Sequence, residues 1–201
     1  MKRISCILIL LIIIVSGVFA QNATQARAVL DKTAGILNRK GGLSISFSMS
    51  NSKTGTVAGT IAIKGKKYNV RTPQAIVWFN GKTQWTYMKN TNEVNVTTPS
   101  LSQQQMMNPY AFINMYRSGY SLSMKTQNKN YVVHMTAENK NIQEIYVTIN
   151  KKTYIPSAIK LRQGAQWTSI TISNFAAKNQ SDNIFTFRSN DFPSAEIVDL
   201  R

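Results

Sequence analysis

The residues best suited to acid–base, nucleophilic or metal chemistry in this 201-residue sequence are one histidine, one cysteine and eight carboxylates. His134 alternates with Val133 and Met135, so it reads as a strand-face residue rather than a general base. Asp31, Glu93, Glu138, Glu144, Asp182, Asp191, Glu196 and Asp199 are scattered, and no pair has metal-ligand spacing. No glycine-rich phosphate loop and no nucleophile elbow is present. No catalytic residue, metal ligand or cofactor is therefore expected, and the chemistry left open is binding.

The material for binding is soft and aromatic. Phe79-Asn80-Gly81-Lys82-Thr83-Gln84-Trp85-Thr86-Tyr87 follows the apolar run Ala75 to Trp78. Asn80-Gly81 is a strong hairpin signal, because a two-residue type I′ turn needs φ > 0 at both central positions. Thr83, Trp85 and Tyr87 then share one strand face, which can belong to a core or to a greasy concavity. Beyond residue 20 come Met49, Met88, Met106, Met107, Met115, Met124 and Met135. Methionine adapts to irregular apolar shapes, whether as core filling or as a surface for varied ligands.

The elements that must position these residues begin after an export signal. Lys2-Arg3, the apolar run Ile7 to Val15 and the small Ala20 read as a signal peptide over residues 1–20, cut after Ala20. The apolar run is too short for a comfortable membrane span. Cys6 lies inside that signal and before its apolar run, so neither a disulfide nor a lipid anchor is expected. The remainder, 21–201, is the length of one domain. It carries 22 basic and 8 acidic residues, a charge of +14. That excess suits solubility, an acidic partner or an anionic membrane face, while export argues against nucleic acid.

In order, Asn22 and Gln25 resemble a capping pair, and Ala26, Val29, Leu30, Ala34 and Leu37 recur at helical spacing until Gly41-Gly42. The period then becomes two. Leu43, Ile45, Phe47 and Met49 alternate with serines, and Val57, Ile61 and Ile63 share a face, with Gly59 a possible kink. Tyr68 and Val70, then the central hairpin, then Val94 and Val96 continue the pattern. It stops at Thr98-Pro99. Asn108-Pro109 reads as a helix start, with Phe112, Ile113 and Tyr116 as its stripe and Gly119 as its stop. Strands resume at Tyr120, Tyr131, Ile145, Ile159 and Trp167, and Phe185 with Phe187 reads as a last strand before Ile197-Val198. About eleven strands in a meander must curl, which predicts a strongly curved antiparallel sheet covered by two amphipathic helices.

At these residues the chain resembles the periplasmic outer-membrane lipoprotein carrier family, the LolA type. The family pattern Asp-Gly-Lys-Thr-Leu-Trp-x-Tyr stands here as Asn80-Gly81-Lys82-Thr83-Gln84-Trp85-Thr86-Tyr87, followed by Glu93-Val94-Asn95-Val96. Gly59-Thr60-Ile61-Ala62-Ile63-Lys64 before Tyr68, Tyr154-Ile155-Pro156 and Phe192-Pro193 also have counterparts in order. Where the family often carries Arg-Pro, with the arginine implicated in closing the lid, this chain has Gly65-Lys66. The resemblance implies a mainly β protein with an unclosed barrel and a helical lid. It implies a periplasmic chaperone that buries lipoprotein acyl chains, takes them from an inner-membrane ABC exporter and delivers them to an outer-membrane acceptor, either a receptor or the membrane itself.

On that reading the chain is a monomer without enzymatic activity. The expected cavity residues are Phe47, Ile61, Ile63, Tyr68, Trp85, Tyr87, Val94 and Val96. The expected lid residues are Leu30, Leu37, Met106, Met107, Phe112, Ile113 and Tyr116. The alternatives are a periplasmic protein that binds or senses glycolipid or phospholipid, and a cell-envelope interaction protein without cargo.

Overall fold

Alternating sequence becomes one sheet. The structure, a computed structural model, describes residues 21–53, 55–107 and 110–201. The expected signal peptide and the Asn108-Pro109 helix start lie outside the described residues. Helix α1 spans 21–37. Six strands follow: β1 (Leu43–Asn51), β2 (Gly55–Lys64), β3 (Lys67–Arg71), β4 (Ala75–Phe79), β5 (Gln84–Met88) and β6 (Glu93–Thr97). Two short helices interrupt them, α2 (Leu101–Met107) and α3 (Ala111–Asn114), the second running into a 3-10 turn at Met115–Arg117. Then come β7 (Ser121–Gln127), β8 (Asn130–Thr136), β9 (Glu144–Asn150), β10 (Pro156–Gln163), β11 (Gln166–Ala176) and β12 (Glu196–Asp199).

The twelve strands form a single curved sheet in the order β12-β6-β5-β4-β3-β2-β1-β11-β10-β9-β8-β7. Every pairing is antiparallel except β12 against β6. β7 and β12 are the two ends of the order and do not pair with each other, so the barrel is unclosed. The expected fold class is the observed one.

Strand parity divides the sheet into two faces. On the inner face, Leu43 and Ile45 of β1, Ile61 and Ile63 of β2, Tyr68 and Val70 of β3, and Ile145, Val147 and Ile149 of β9 join one buried cluster. The stripe of α1 (Ala26, Val29, Leu30 and Leu37) belongs to the same cluster, so the helix fills one part of the concavity. Asn22 does not cap α1, since it lies within the helix. Its amide instead mimics a neighbouring strand for the β7 edge: Nδ2 donates to the Met124 carbonyl at 3.0 Å, and Oδ1 accepts from the Met124 N–H at 2.7 Å. Pairing an exposed edge in this way protects it from other strands.

Besides the Asn22 cap, three local expectations change. The Asn80-Gly81 hairpin exists, but Phe79 pairs with Gln84, so its loop has four residues rather than two. Gly81 alone takes positive φ (100°), and the Asn80 side chain closes the loop by accepting from the Lys82 and Thr83 N–H groups. Phe185 sits in a 3-10 turn, Asp182–Phe185, rather than a strand, so the last strand is β12 alone. The polar run before the mid-chain helix is itself helical, as α2.

Candidate functional site

The concavity is closed by packing on one side and hollow on the other. An apolar cavity of about 250 Å³ lies between the inner face of β1–β5 and the two short helices. Its floor is Phe47 and Met49 of β1, Val57 of β2, Val70 of β3, Val77 of β4, Thr86 of β5 and Ile170 of β11. Met107 of α2 and Phe112 of α3 form the roof. Among the described residues no charged side chain lines it, and Thr72 and Thr86 are its polar members. A chain of methylenes is the ligand such a wall favours, by burial alone.

Backbone geometry supports the floor. Gly59 stands opposite Phe47, and a Cβ there would lie 2.2 Å from the Arg71 carbonyl oxygen and 3.2 Å from the Phe47 ring. Only glycine permits that approach, which keeps the Phe47 ring over the sheet at the cavity wall. Below it, Tyr68 is almost fully buried and donates to Gln84 Oε1 at 2.7 Å. Burial pushes the Tyr68 hydroxyl up to about 12, so it stays neutral and closes the interior with an uncharged group. Tyr110, beside the cover, is likewise shifted upward by burial.

The expected cavity residues divide into three groups. Phe47 lines the cavity. Ile61, Ile63 and Tyr68 share its face but are packed into the core cluster. Trp85, Tyr87, Val94 and Val96 are on the other face, a correction to the expectation. Thr86 and Val77 oppose each other on the inner face, so their neighbours Trp85 and Tyr87 must point outward, cross-strand from Trp78, Ile76, Val96 and Val94.

Those outward residues have their own cover. The segment after β11 folds back, and Phe192 meets Trp78 at 5.5 Å and Tyr87 at 4.6 Å between ring centroids. Phe187 meets Trp78 at 5.4 Å. The aromatic stripe is thus a second, smaller core. One acidic residue pins this segment to the sheet. Lys67 and Lys64 approach Asp182 at 2.9 and 3.3 Å, and they hold its carboxyl below the usual range.

Of the expected cover, Met107 and Phe112 line the cavity, whereas Ile113 and Tyr116 are buried in the core beside it. The Met106 side chain lies outside the described residues. Leu30 and Leu37 pack as α1 core. The 3-10 turn after α3 is tied to α1: the Tyr116 hydroxyl donates to Asp31, and Arg117 reaches the same carboxylate at 3.3 Å. The Tyr116 hydroxyl is shifted upward, first by burial and then by that carboxylate.

Sequence reasoning missed Met49, Val57, Val70, Val77 and Ile170 as lining residues. The signal was present for the first two, which alternate in step with Phe47 and Ile61. It was absent for Val77, because Ala75 to Phe79 is apolar throughout. A larger polar groove of about 660 Å³ lies around residues 136–144. Glu138, Lys140, Glu144 and Arg162 border it, which makes it a poor host for hydrocarbon. His134 is on the outer face, stacked on Tyr146 at 4.1 Å and 3.2 Å from Glu144.

Among solved structures, an uncharacterized conserved protein from Thermus thermophilus superposes with a TM-score of 0.60 at 10% identity, covering 87% of this chain and 99% of its own. A LolA superfamily protein from Nitrosomonas europaea gives 0.46 at 11% identity, covering 81% and 97%. A putative outer membrane lipoprotein-sorting protein domain from Vibrio parahaemolyticus gives 0.46 at 10%, covering 85% and 97%. No curated protein matches the sequence. The family model described as outer membrane lipoprotein carrier protein LolA matches residues 16–165, and the chain belongs to that family.

Proposed function

We propose that the protein carries the acyl chains of lipoproteins through the periplasm, from an inner-membrane ABC exporter to an outer-membrane acceptor. The observation that carries this reading is the uncharged cavity under α2 and α3, together with membership of the carrier family. Each buried CH₂ is worth about 0.8 kcal/mol, so a lipoprotein with two or three chains needs a host to cross water.

At about 250 Å³ the cavity is just below the usual range of roughly 300–1,000 Å³ for a ligand pocket. It accepts a segment of one chain as it stands. Fuller loading requires α2 and α3 to move away from β1–β5. These helices have seven and four residues, so they hold their place through Met107, Phe112, Ile113 and Tyr116 rather than through helix stability. Cargo methylenes would replace those contacts one for one, which makes uptake and release both feasible.

The test is release of a newly acylated lipoprotein from spheroplasts by the added protein. The expected result is a soluble complex of the two. Variant Phe112→Asp places a charge in the roof and should lose the complex while the sheet stays folded. Release of phospholipid but never of lipoprotein would replace this reading by carriage of a different lipid.

A further inference from the structure

The positive charge that looks scattered in the sequence is gathered at one end of the sheet. The strand order brings together the end of α1 (38–42), the turns at 64–67, 80–83, 127–130 and 150–155, and the stretch 177–180 after β11. These six segments hold ten basic residues and no acidic one. Asp182, just beyond the last of them, pairs with Lys64 and Lys67, and Asp199 at the same end of β12 pairs with Arg201, so each offsets part of the charge there. The turns at the opposite end, 51–55, 71–75, 88–93, 136–144 and 163–166, hold four basic and three acidic residues.

Contacts confirm that the segments adjoin. The Gln180 N–H donates to the Gly41 carbonyl at 2.8 Å, and Lys64 Nζ reaches the Gln180 carbonyl at 3.1 Å. The Lys151 N–H donates to the Lys129 carbonyl at 3.0 Å. Lys40, Lys66, Lys82, Lys129, Lys152 and Lys178, one from each segment, are exposed.

We propose that this end is a docking surface for an anionic bilayer. A fluid headgroup layer fits it because the lysines stand on six separate segments rather than in one cluster, and because two half-buried tyrosines lie at the same end, Tyr131 at the start of β8 and Tyr154 in the 150–155 turn. Tyr131 and Tyr154 lie 6.3 Å apart, with Lys151 at 5.7 Å over one ring and Lys32 at 4.8 Å over the other. Tyr154 takes φ of 55°, rare for a ring residue, and so sets its ring beside Tyr131 at that end. Tyrosine beside lysine suits the boundary between headgroups and acyl chains.

The surface is separate from the acyl cavity. Met49, Val57, Val70 and Ala75 belong to the halves of their strands that run toward the less charged end, and Phe47 stands at the middle of β1. Docking by the basic end therefore leaves the cavity end free for a protein partner.

The experiment is co-sedimentation of the full chain with vesicles of phosphatidylcholine alone or mixed with phosphatidylglycerol. Binding is expected only with phosphatidylglycerol, and it should fade between 0.05 and about 0.5 M salt. The combined variant K66Q/K82Q/K129Q/K152Q should bind about 100-fold more weakly or worse. The variant K53Q/R71Q/K89Q/K140Q removes as many charges from the other end and should bind nearly as the parent does. No binding, equal loss in both variants, or retention by an acidic protein but not by vesicles would overturn the proposal. Acyl-probe binding should persist in both variants, so failure here is distinguishable from failure of the carrier reading.

Discussion

Filling the cavity should separate cargo binding from folding. Val77 is almost fully buried and lines the cavity floor on β4. In a tightly packed core, Val→Phe would overpack and cost about 1–3 kcal/mol. Here about 250 Å³ of empty apolar space lies above the side chain. The added ring carbons gain roughly 2–3 kcal/mol by burial, which offsets up to about 3 kcal/mol of strain, so Val77→Phe should change stability by no more than about 2 kcal/mol. The ring then occupies room for about four methylenes of cargo, worth about 3 kcal/mol, or about 100-fold in affinity. Urea unfolding followed by tryptophan fluorescence reads the first quantity, and titration with a fluorescent long-chain fatty acid reads the second. The control is Ile76→Phe, one residue away on the outer face, which should destabilise by about 1–3 kcal/mol and leave affinity unchanged. Unchanged affinity in a folded Val77→Phe protein would refute the assignment of the site. A loss of more than about 3 kcal/mol in stability would refute the existence of usable space.

Other changes should act on the frame. Trp78→Ala removes the ring shared by Phe187 and Phe192 and should cost about 3–5 kcal/mol in urea unfolding, without altering acyl affinity at temperatures where the variant stays folded. Asn22→Ala leaves the Met124 backbone pair of the β7 edge to water or to another chain; stability should fall by about 1–2 kcal/mol and sedimentation should show concentration-dependent association. Arg162 beside Glu144, helped by His134, holds its carboxyl below the usual range. A depressed carboxyl adds stability that is complete above its unfolded pKa, about 4.3, and is lost as pH falls through the lower folded value. The stability gap between the parent and Glu144→Gln, small because the pair keeps water, should thus be present at about pH 5 and close as pH falls below about 4.

Period-two alternation carried most of the fold, because a half-buried strand must alternate and Leu43 to Met49 does so without a break. It could not say which face is inner. Trp85 and Tyr87 alternate as cleanly as Phe47 and Met49, yet their partner is the segment after β11, far along the chain at Phe192. Nothing local announces that pairing. Val94 and Val96 followed them outward because register couples neighbouring strands. The roof was legible in Phe112 and Met107, where apolar residues stand apart from any strand pattern. The turn at Asn80 was legible in position but not in type, since its side-chain hydrogen bonds stabilise a longer loop than Asn-Gly favours. The basic end was invisible in sequence, because it exists only once alternate hairpin turns are brought to the same side.

The most direct measurement is mass spectrometry of an organic extract from protein purified out of its native envelope without detergent, alongside the intact complex. The expected result is acyl chains attached to a lipoprotein in the parent, and their loss in Val77→Phe. A folded parent that brings down no acylated molecule, and that takes up no long-chain acyl probe when one is supplied, would contradict it.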